Sequence, residues 1–250
     1  MSLRPAATIL IFRPSPSGPE VLLLKRSRQV GFFPSAWVFP GGRVDEQDGL
    51  FPTVGRLDGV EVQFAVAAIR EAFEEAGIWL GEGEPSDDLR DALNQRQGGL
   101  PLDGSLKADV CKVRQWSWWI TPDTEPKRYD TRFFVCRVPY DPTLEIVPDA
   151  SETVEARWLS PQEAISLHAQ DALFMAPPTY LTLLEMLHYD SVEEIWDAAG
   201  SKSIEAIQPV HDKSVKPMEI CLPTHPNHPA STPDLGCKAV VLDTLHWVRK

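Results

Sequence analysis

Cysteine is scarce and scattered. Cys111, Cys136, Cys221 and Cys237 form no C-x-x-C pair, so reduced, mostly buried thiols are expected rather than a disulfide framework or a zinc centre. Positive charge is short too: 24 Lys and Arg stand against 36 Asp and Glu, a net charge of −12. That balance argues against a nucleic-acid binder and against docking on an anionic membrane. Long apolar runs are missing, and no stretch approaches a spanning length. Residues 1–12 lack the layout of a secretory signal, and Val248-Arg249-Lys250 is not a peroxisomal address, so the cytoplasm is the expected location. No internal repeat or low-complexity tract breaks the chain.

What is present is enough for one large domain, or one domain with elaborations, in 250 residues of ordinary apolar content. The densest chemistry lies in residues 67–78. Read as a helix at about 100° per residue, this stretch puts Ala65, Ile69, Ala72, Phe73 and Ala76 on one arc, suited to packing on a sheet. Glu71, Glu74 and Glu75 cluster opposite, at i, i+3 and i+4, where like charges repel. They occupy the last turn before Gly77, the end at which the helix dipole disfavours anions. A bare E-x-x-E-E is most often a solvated face. Here a divalent cation with hard oxygen ligands would relieve both penalties, and Arg70, one turn from Glu74, can hold part of the cluster.

Residues 6–12 and 21–25 read as a strand hairpin around a Pro-rich turn, and residues 26–37 as a loop. Val38-Phe39-Pro40 leads into Gly41-Gly42, where the backbone can bend and approach a ligand. An inserted loop, residues 45–61 with its core at 49–61, precedes a long helix over 62–76. Residues 81–104 are polar, with a short helix capped by Ser86. Strands follow around Trp116, Trp118 and Trp119, over 128–138 with Phe133 and Val135 inward, and over 156–159. Helices are expected after the caps Ser160 and Ser191 and after Pro177-Pro178. Residues 201–250 turn Pro- and His-rich and read as a β extension packed on the domain formed by residues 1–200. The spacing of His211, His225 and His228 fits a turn-rich hairpin and no zinc pattern.

Gly42 followed by Arg70-Glu71-Ala72-Phe73-Glu74-Glu75-Ala76-Gly77-Ile78 resembles the box of the Nudix family, G-x5-E-x7-R-E-U-x-E-E-x-G-U, with Ala72 in the aliphatic slot. The box is interrupted. Counted forward from Gly42, its first Glu slot holds Asp48; counted back from Arg70, it holds Val62, with Glu61 beside it. An insertion of about fourteen residues, of the kind loops tolerate, accounts for the mismatch. The resemblance implies an α/β Nudix fold, a mixed curved sheet flanked by helices, with the C-terminal elaboration added. It also implies hydrolysis of a diphosphate linkage in a nucleoside diphosphate derivative, with Mg²⁺ or Mn²⁺ held by Glu71, Glu74 and Glu75 and by the Gly42 carbonyl. Arg70 would belong to the catalytic set. Glu152, in an acidic loop, is the first choice of general base and Glu155 the second.

Residues 22–42 further resemble the coenzyme A motif of that superfamily, L-L-T-x-R-[SA]-x3-R-x3-G-x3-F-P-G-G. The spacing is kept, and Arg26, Ser27 and Phe39 to Gly42 match, but Leu24 replaces Thr, Gly31 replaces Arg and Ser35 replaces Gly. With residues 128–134, the chain is similar to a Nudix branch that includes a mammalian peroxisomal coenzyme A diphosphatase. The implied substrate is coenzyme A or acyl-coenzyme A. Arg26, Arg28, Lys127, Arg128 and Arg132 are the cations available to it, and Phe39 and Gly41 lie in the matching motif. An ADP-ribose, dinucleotide or nucleotide-sugar pyrophosphatase is the alternative enzyme, and a non-catalytic Nudix-type nucleotide sensor the alternative class. The complete carboxylate cluster favours catalysis. The expected partner is a small nucleotide, with no nucleic acid or membrane, in a monomer or homodimer.

Overall fold

The computed structural model describes residues 2–29, 33–57, 61–141, 143–144, 146–149, 151–212, 219–223, 239–243 and 246–249. Gly31, His225 and His228 lie outside them.

β1 (Arg4–Ser15) and β2 (Gly18–Arg26) form the expected hairpin, with Phe12 opposite Val21. β3 (Trp37–Val38) pairs with β2, and β4 (Gly41–Arg43) runs antiparallel to β1. A short 3₁₀ turn over Glu46–Gly49 and β5 (Thr53–Val54) lie in the inserted loop, ahead of α1 (Val62–Ala76). Then come β6 (Gly81–Glu82), α2 (Asp87–Asn94), β7 (Lys107–Asp109), β8 (Arg114–Ile120), β9 (Tyr129–Arg137) and β10 (Thr153–Leu159). α3 (Pro161–Ala169), α4 (Pro177–Met186) and α5 (Val192–Ser201) follow, and the Ser86, Ser160 and Ser191 side chains accept the capping hydrogen bonds expected of them.

The main sheet is mixed, in the order β10-β2-β1-β9-β8-β11, where β11 (Ala206–Ile207) lies parallel to β8. β12 (Val210–Asp212), β13 (Glu219–Cys221), β14 (Ala239–Asp243) and β15 (His246–Arg249) form a separate antiparallel sheet. Among the described residues no helix is long and apolar enough to cross a membrane.

Two cores flank the main sheet. Leu10, Phe12, Phe133 and Val135 pack with α3, α4 and α5, and Ile207, Ile220 and Leu222 join them. Ile9, Ile11, Phe134 and Cys136 pack with α1 on the other side. The expected one-sided burial of β9 is therefore corrected: a central strand with a core on each face buries every residue from Phe133 to Cys136.

The two-faced reading of α1 is corrected as well. Buried residues run from Phe64 to Phe73 and include Glu75. The polar segment after the helix folds back over it: Leu80, Leu93, Leu100, Leu106 and Ala108 belong to the same core. β5, β7 and β6 form a small sheet there, with the inserted loop's Thr53 opposite Ala108, and Phe51 buried below it. The helix stops at Gly77, whose φ of 70° is the left-handed conformation in which a side chain would be strained.

Candidate active site

Pairing of β4 with β1 sets Gly41 and Gly42 beside the last turns of α1. Both positions require glycine for space. A Cβ on Gly41 would lie 2.6 Å from the Ala7 carbonyl oxygen and 2.7 Å from Thr8 Oγ1, and one on Gly42 would overlap the Glu71 carboxylate. The Gly41 N–H donates to Glu75 Oε2 at 2.9 Å. The expected close approach of backbone at this pair is thus met first by the chain's own carboxylates.

Arg70 is the hub. Its Nε and Nη2 donate to Asp48 at 2.8 and 3.0 Å, a bidentate contact between two buried groups. Its Nη1 donates to Glu71 Oε1 and Glu74 Oε1, both at 2.9 Å, and Nη2 also reaches the Arg43 carbonyl at 2.7 Å. Burial works against the guanidinium charge, but the Asp48 hydrogen bond and the three carboxylates outweigh it and raise its pKa. The contact resolves the interrupted box. Asp48, the forward count, sits in the site, whereas Glu61 occupies the exposed position before α1, makes no side-chain cap, and accepts a hydrogen bond from Gln63. The insertion falls after Asp48.

One guanidinium does not neutralise this many acids. Burial first, then the nearby Glu74 and Glu152 charges, push the Glu71 carboxyl up to about 8 against the pull of Arg70. Burial and Glu71 hold Glu75 well above the carboxylate range, opposed by the Gly41 N–H and Arg26. Glu74 is raised by burial and by Asp45 and Asp48, with Arg70 opposing. Among the described residues no group of three or more His, Cys, Asp or Glu is assembled as a metal cage. The donors nevertheless suit a hard divalent cation: they are carboxylate oxygens, buried, converging and short of positive charge.

These groups form one end of a cavity of about 1100 Å³. Phe39, Arg26 and Glu152 line it as well. Glu152 is held by Asp149, whose Oδ1 accepts from the N–H groups of Ser151, Glu152 and Thr153 at 2.7 to 3.1 Å. The Glu152 carboxylate accepts from Arg96 Nη2 at 2.8 Å. Glu155 does not line the cavity. It lies on β10, where hydrogen bonds from Arg157 and Lys25 overcome the upward effect of burial and lower its pKa.

Three of the expected substrate cations lie elsewhere. Arg28 is exposed and outside the cavity lining. Arg128 donates to the Thr121 carbonyl at 3.1 Å and pairs with Asp123. Arg132 pairs with Asp130 at 3.3 Å, its guanidinium carbon 3.7 Å from the Trp118 ring centroid and 5.0 Å from that of Phe64. Alternation along β9 explains Arg132: Thr131 and Phe133 point into the cavity, so the residue between them points away. Lys127 does line it. Sequence reasoning passed over Arg96 and Asp149. Asp149 carried a signal, an Asp two residues before Ser at a loop. Arg96 carried none; its backbone φ of 55° and its reach to Glu152 exist only in the fold.

Known proteins resemble the chain in sequence and in overall fold. The NUDT19 Nudix domain family matches residues 101–186. Acyl-coenzyme A diphosphatase NUDT19 of Xenopus laevis is 26% identical over 249 residues, covering 76% of this chain and 65% of the relative. The Homo sapiens protein of that name is 29% identical over 266 residues, covering 82% and 70%. The crystal structure of a NUDIX hydrolase from Alicyclobacillus acidocaldarius superposes with a TM-score of 0.66 at 25% identity, over 82% of this chain and 99% of that one. In sequence and in fold the chain is similar to the Nudix hydrolase superfamily. Within it, the similarity runs to the coenzyme A diphosphatase branch, and the chain spans about two thirds of the length of these two curated relatives.

Proposed function

We propose that this chain hydrolyses the diphosphate of coenzyme A or an acyl-coenzyme A, releasing adenosine 3′,5′-bisphosphate and 4′-phosphopantetheine or its acyl form. The observation that carries the reading is the convergence of Glu71, Glu74 and Glu75 with Gly41-Gly42 at one end of a cavity large enough for a nucleotide conjugate. The names of the relatives and the match to residues 22–42 support the substrate.

Glu71, Glu74 and Glu75, with the Gly42 carbonyl, would hold Mg²⁺ or Mn²⁺. The bound cation supplies charge neutralisation for the diphosphate and a lowered pKa for attacking water. Asp48 fixes the Arg70 guanidinium, which in turn sets the positions of Glu71 and Glu74. Glu152 accepts the proton of the attacking water once Arg96 releases its carboxylate, leaving Arg96 to meet the substrate's negative charge. Arg26, in the part of the chain that matches the coenzyme A motif, would meet the 3′-phosphate; it lines the cavity, as Lys127 does, where Arg28, Arg128 and Arg132 do not.

A panel of coenzyme A, an acyl-coenzyme A, dephospho-coenzyme A, ADP-ribose and NADH, with products identified, tests the reading. A charge-assisted contact contributes about 1.5–3 kcal/mol, so coenzyme A should exceed dephospho-coenzyme A at least tenfold in kcat/KM, and Arg26→Ala should erase the margin. Faster cleavage of ADP-ribose would transfer the assignment to the alternative pyrophosphatase.

A further inference from the structure

The register of the main sheet draws a row across it. Arg43 of β4 stands opposite Ala6 of β1, Ala6 opposite Thr131 of β9, Thr131 opposite Trp119 of β8, and Trp119 opposite Ile207 of β11. Four strand spacings of about 4.8 Å put β11 about 19 Å from β4. The cavity follows this row. It is lined by Gly41 and Gly42 at β4, by Ala6, by Thr131 and Phe133, by Trp119, and beyond β11 by Pro209, His211 and Ile220.

The two ends differ in chemistry. At β4 stand the buried carboxylates. At the far end Trp119, Phe133 and Ile220 belong to the apolar core that packs against α3, α4 and α5, and Pro209 is buried. Pro177 and Pro178 of α4 line the cavity from that helical layer. The far wall is pinned. The His211 side chain is 9% exposed, its Nδ1 lies 2.9 Å from Thr124 Oγ1 and 3.6 Å from a Glu125 oxygen, and Ile220 is its partner across the β12–β13 pair.

We propose that the C-terminal segment forms an acyl subsite, in which Pro209 and Ile220, facing Trp119, receive an apolar chain carried on the substrate thiol. The inference rests on the coenzyme A reading above and adds the part of the protein that selects among thioesters. Bond geometry supports it: a fully extended pantetheine arm spans roughly 15 Å. With its phosphate at the carboxylates, the sulfur arrives a few ångströms short of β11, and the next atoms of an acyl group meet Pro209 and Ile220. The contact is remote from the bond that breaks, so it acts equally on ground and transition states and appears in KM rather than kcat.

The wild-type protein is measured first, with thioesters from two to twelve carbons. Each methylene buried should lower KM about three- to fourfold until the arm is full, with kcat nearly constant. Calorimetry in EDTA, where the chain binds without turning over, should show the same dependence of Kd on chain length. Ile220→Trp should move the plateau to shorter chains and Ile220→Ala to longer ones. KM and Kd independent of chain length would overturn the subsite while leaving coenzyme A cleavage standing. A plateau unmoved in both folded variants would overturn the assignment to Ile220. Cleavage of ADP-ribose with no cleavage of any coenzyme A form would sink the subsite together with the substrate reading.

Discussion

The two ends of the cavity are built in opposite ways. The β4 end comes from two short stretches, Gly41 to Asp48 and Arg70 to Glu75, and concentrates more buried negative charge than Arg70 can balance. The far end is assembled from segments some 76 to 101 positions apart in the chain, Trp119 and Phe133 with Pro209 and Ile220, apolar side chains beside the polar His211 and Glu125. One end is electrostatically strained and the other well packed. In the function proposed above, chemistry that depends on a cation belongs at the first. Recognition of an apolar group belongs at the second, where burial alone supplies affinity.

The sharpest test removes charge at the strained end. Glu74→Gln or Glu75→Gln should lower kcat by about 10³-fold or more at saturating Mg²⁺, since electrostatic stabilisation of the transition state is commonly the largest catalytic contribution. Near-normal turnover in either folded variant would remove both from the catalytic set. Glu152→Gln should lower kcat roughly 10²–10⁴-fold if Glu152 is the base, and flatten the acid limb of the pH–rate profile. A variant that keeps the wild-type profile would displace Glu152 from that role.

Next in size is a contrast within the interrupted box. Asp48→Ala leaves the buried Arg70 without its bidentate partner, and breaking such a pair costs about 3–5 kcal/mol. Glu61→Ala touches an exposed residue and should change stability by less than about 0.5 kcal/mol. Urea denaturation separates the two. Equal effects would undo the placement of the insertion after Asp48.

The same end should respond to pH and to divalent ions. Glu71 ionises near 4.5 unfolded and near 8 folded, and Glu75 shifts in the same direction. The folded chain thus holds protons that the unfolded chain has released. The stabilising increment is present at pH values below the ordinary Glu range and is lost as pH rises through about 8. The melting temperature of the metal-free protein should fall across that window, and millimolar Mg²⁺ or Mn²⁺ should restore several degrees at pH 8 by mass action. Glu75→Gln should flatten the pH dependence. A profile that rises toward pH 8 would contradict the uncompensated cluster. The smallest effect is expected at Arg28, where Ala should leave kcat/KM within about twofold, as for an exposed side chain away from the site.

Much of this was legible before the fold. Local rules govern the features read well: helix periodicity placed Val62–Ala76, the Ser86, Ser160 and Ser191 caps marked helix starts, and the glycine pair announced a close approach. The spacing of Glu71, Glu74 and Glu75 put them on one surface because the α-helix repeats every 3.6 residues.

Other features depended on contacts between distant segments. Whether Asp48 or Glu61 completes the box, which arginines reach the cavity, and what covers the outer side of α1 could not be read from spacing. Each was decided by which strand lies beside which: β4 on β1, β7 on the inserted β5, and β11 on β8. The chain by itself determined the chemistry of the cluster, because that chemistry is written within one helix. Only the tertiary structure decided the length of the cavity and the residues at its far end, because Trp119, Phe133, Pro209 and Ile220 meet through sheet register and core packing, to which sequence separation is no guide.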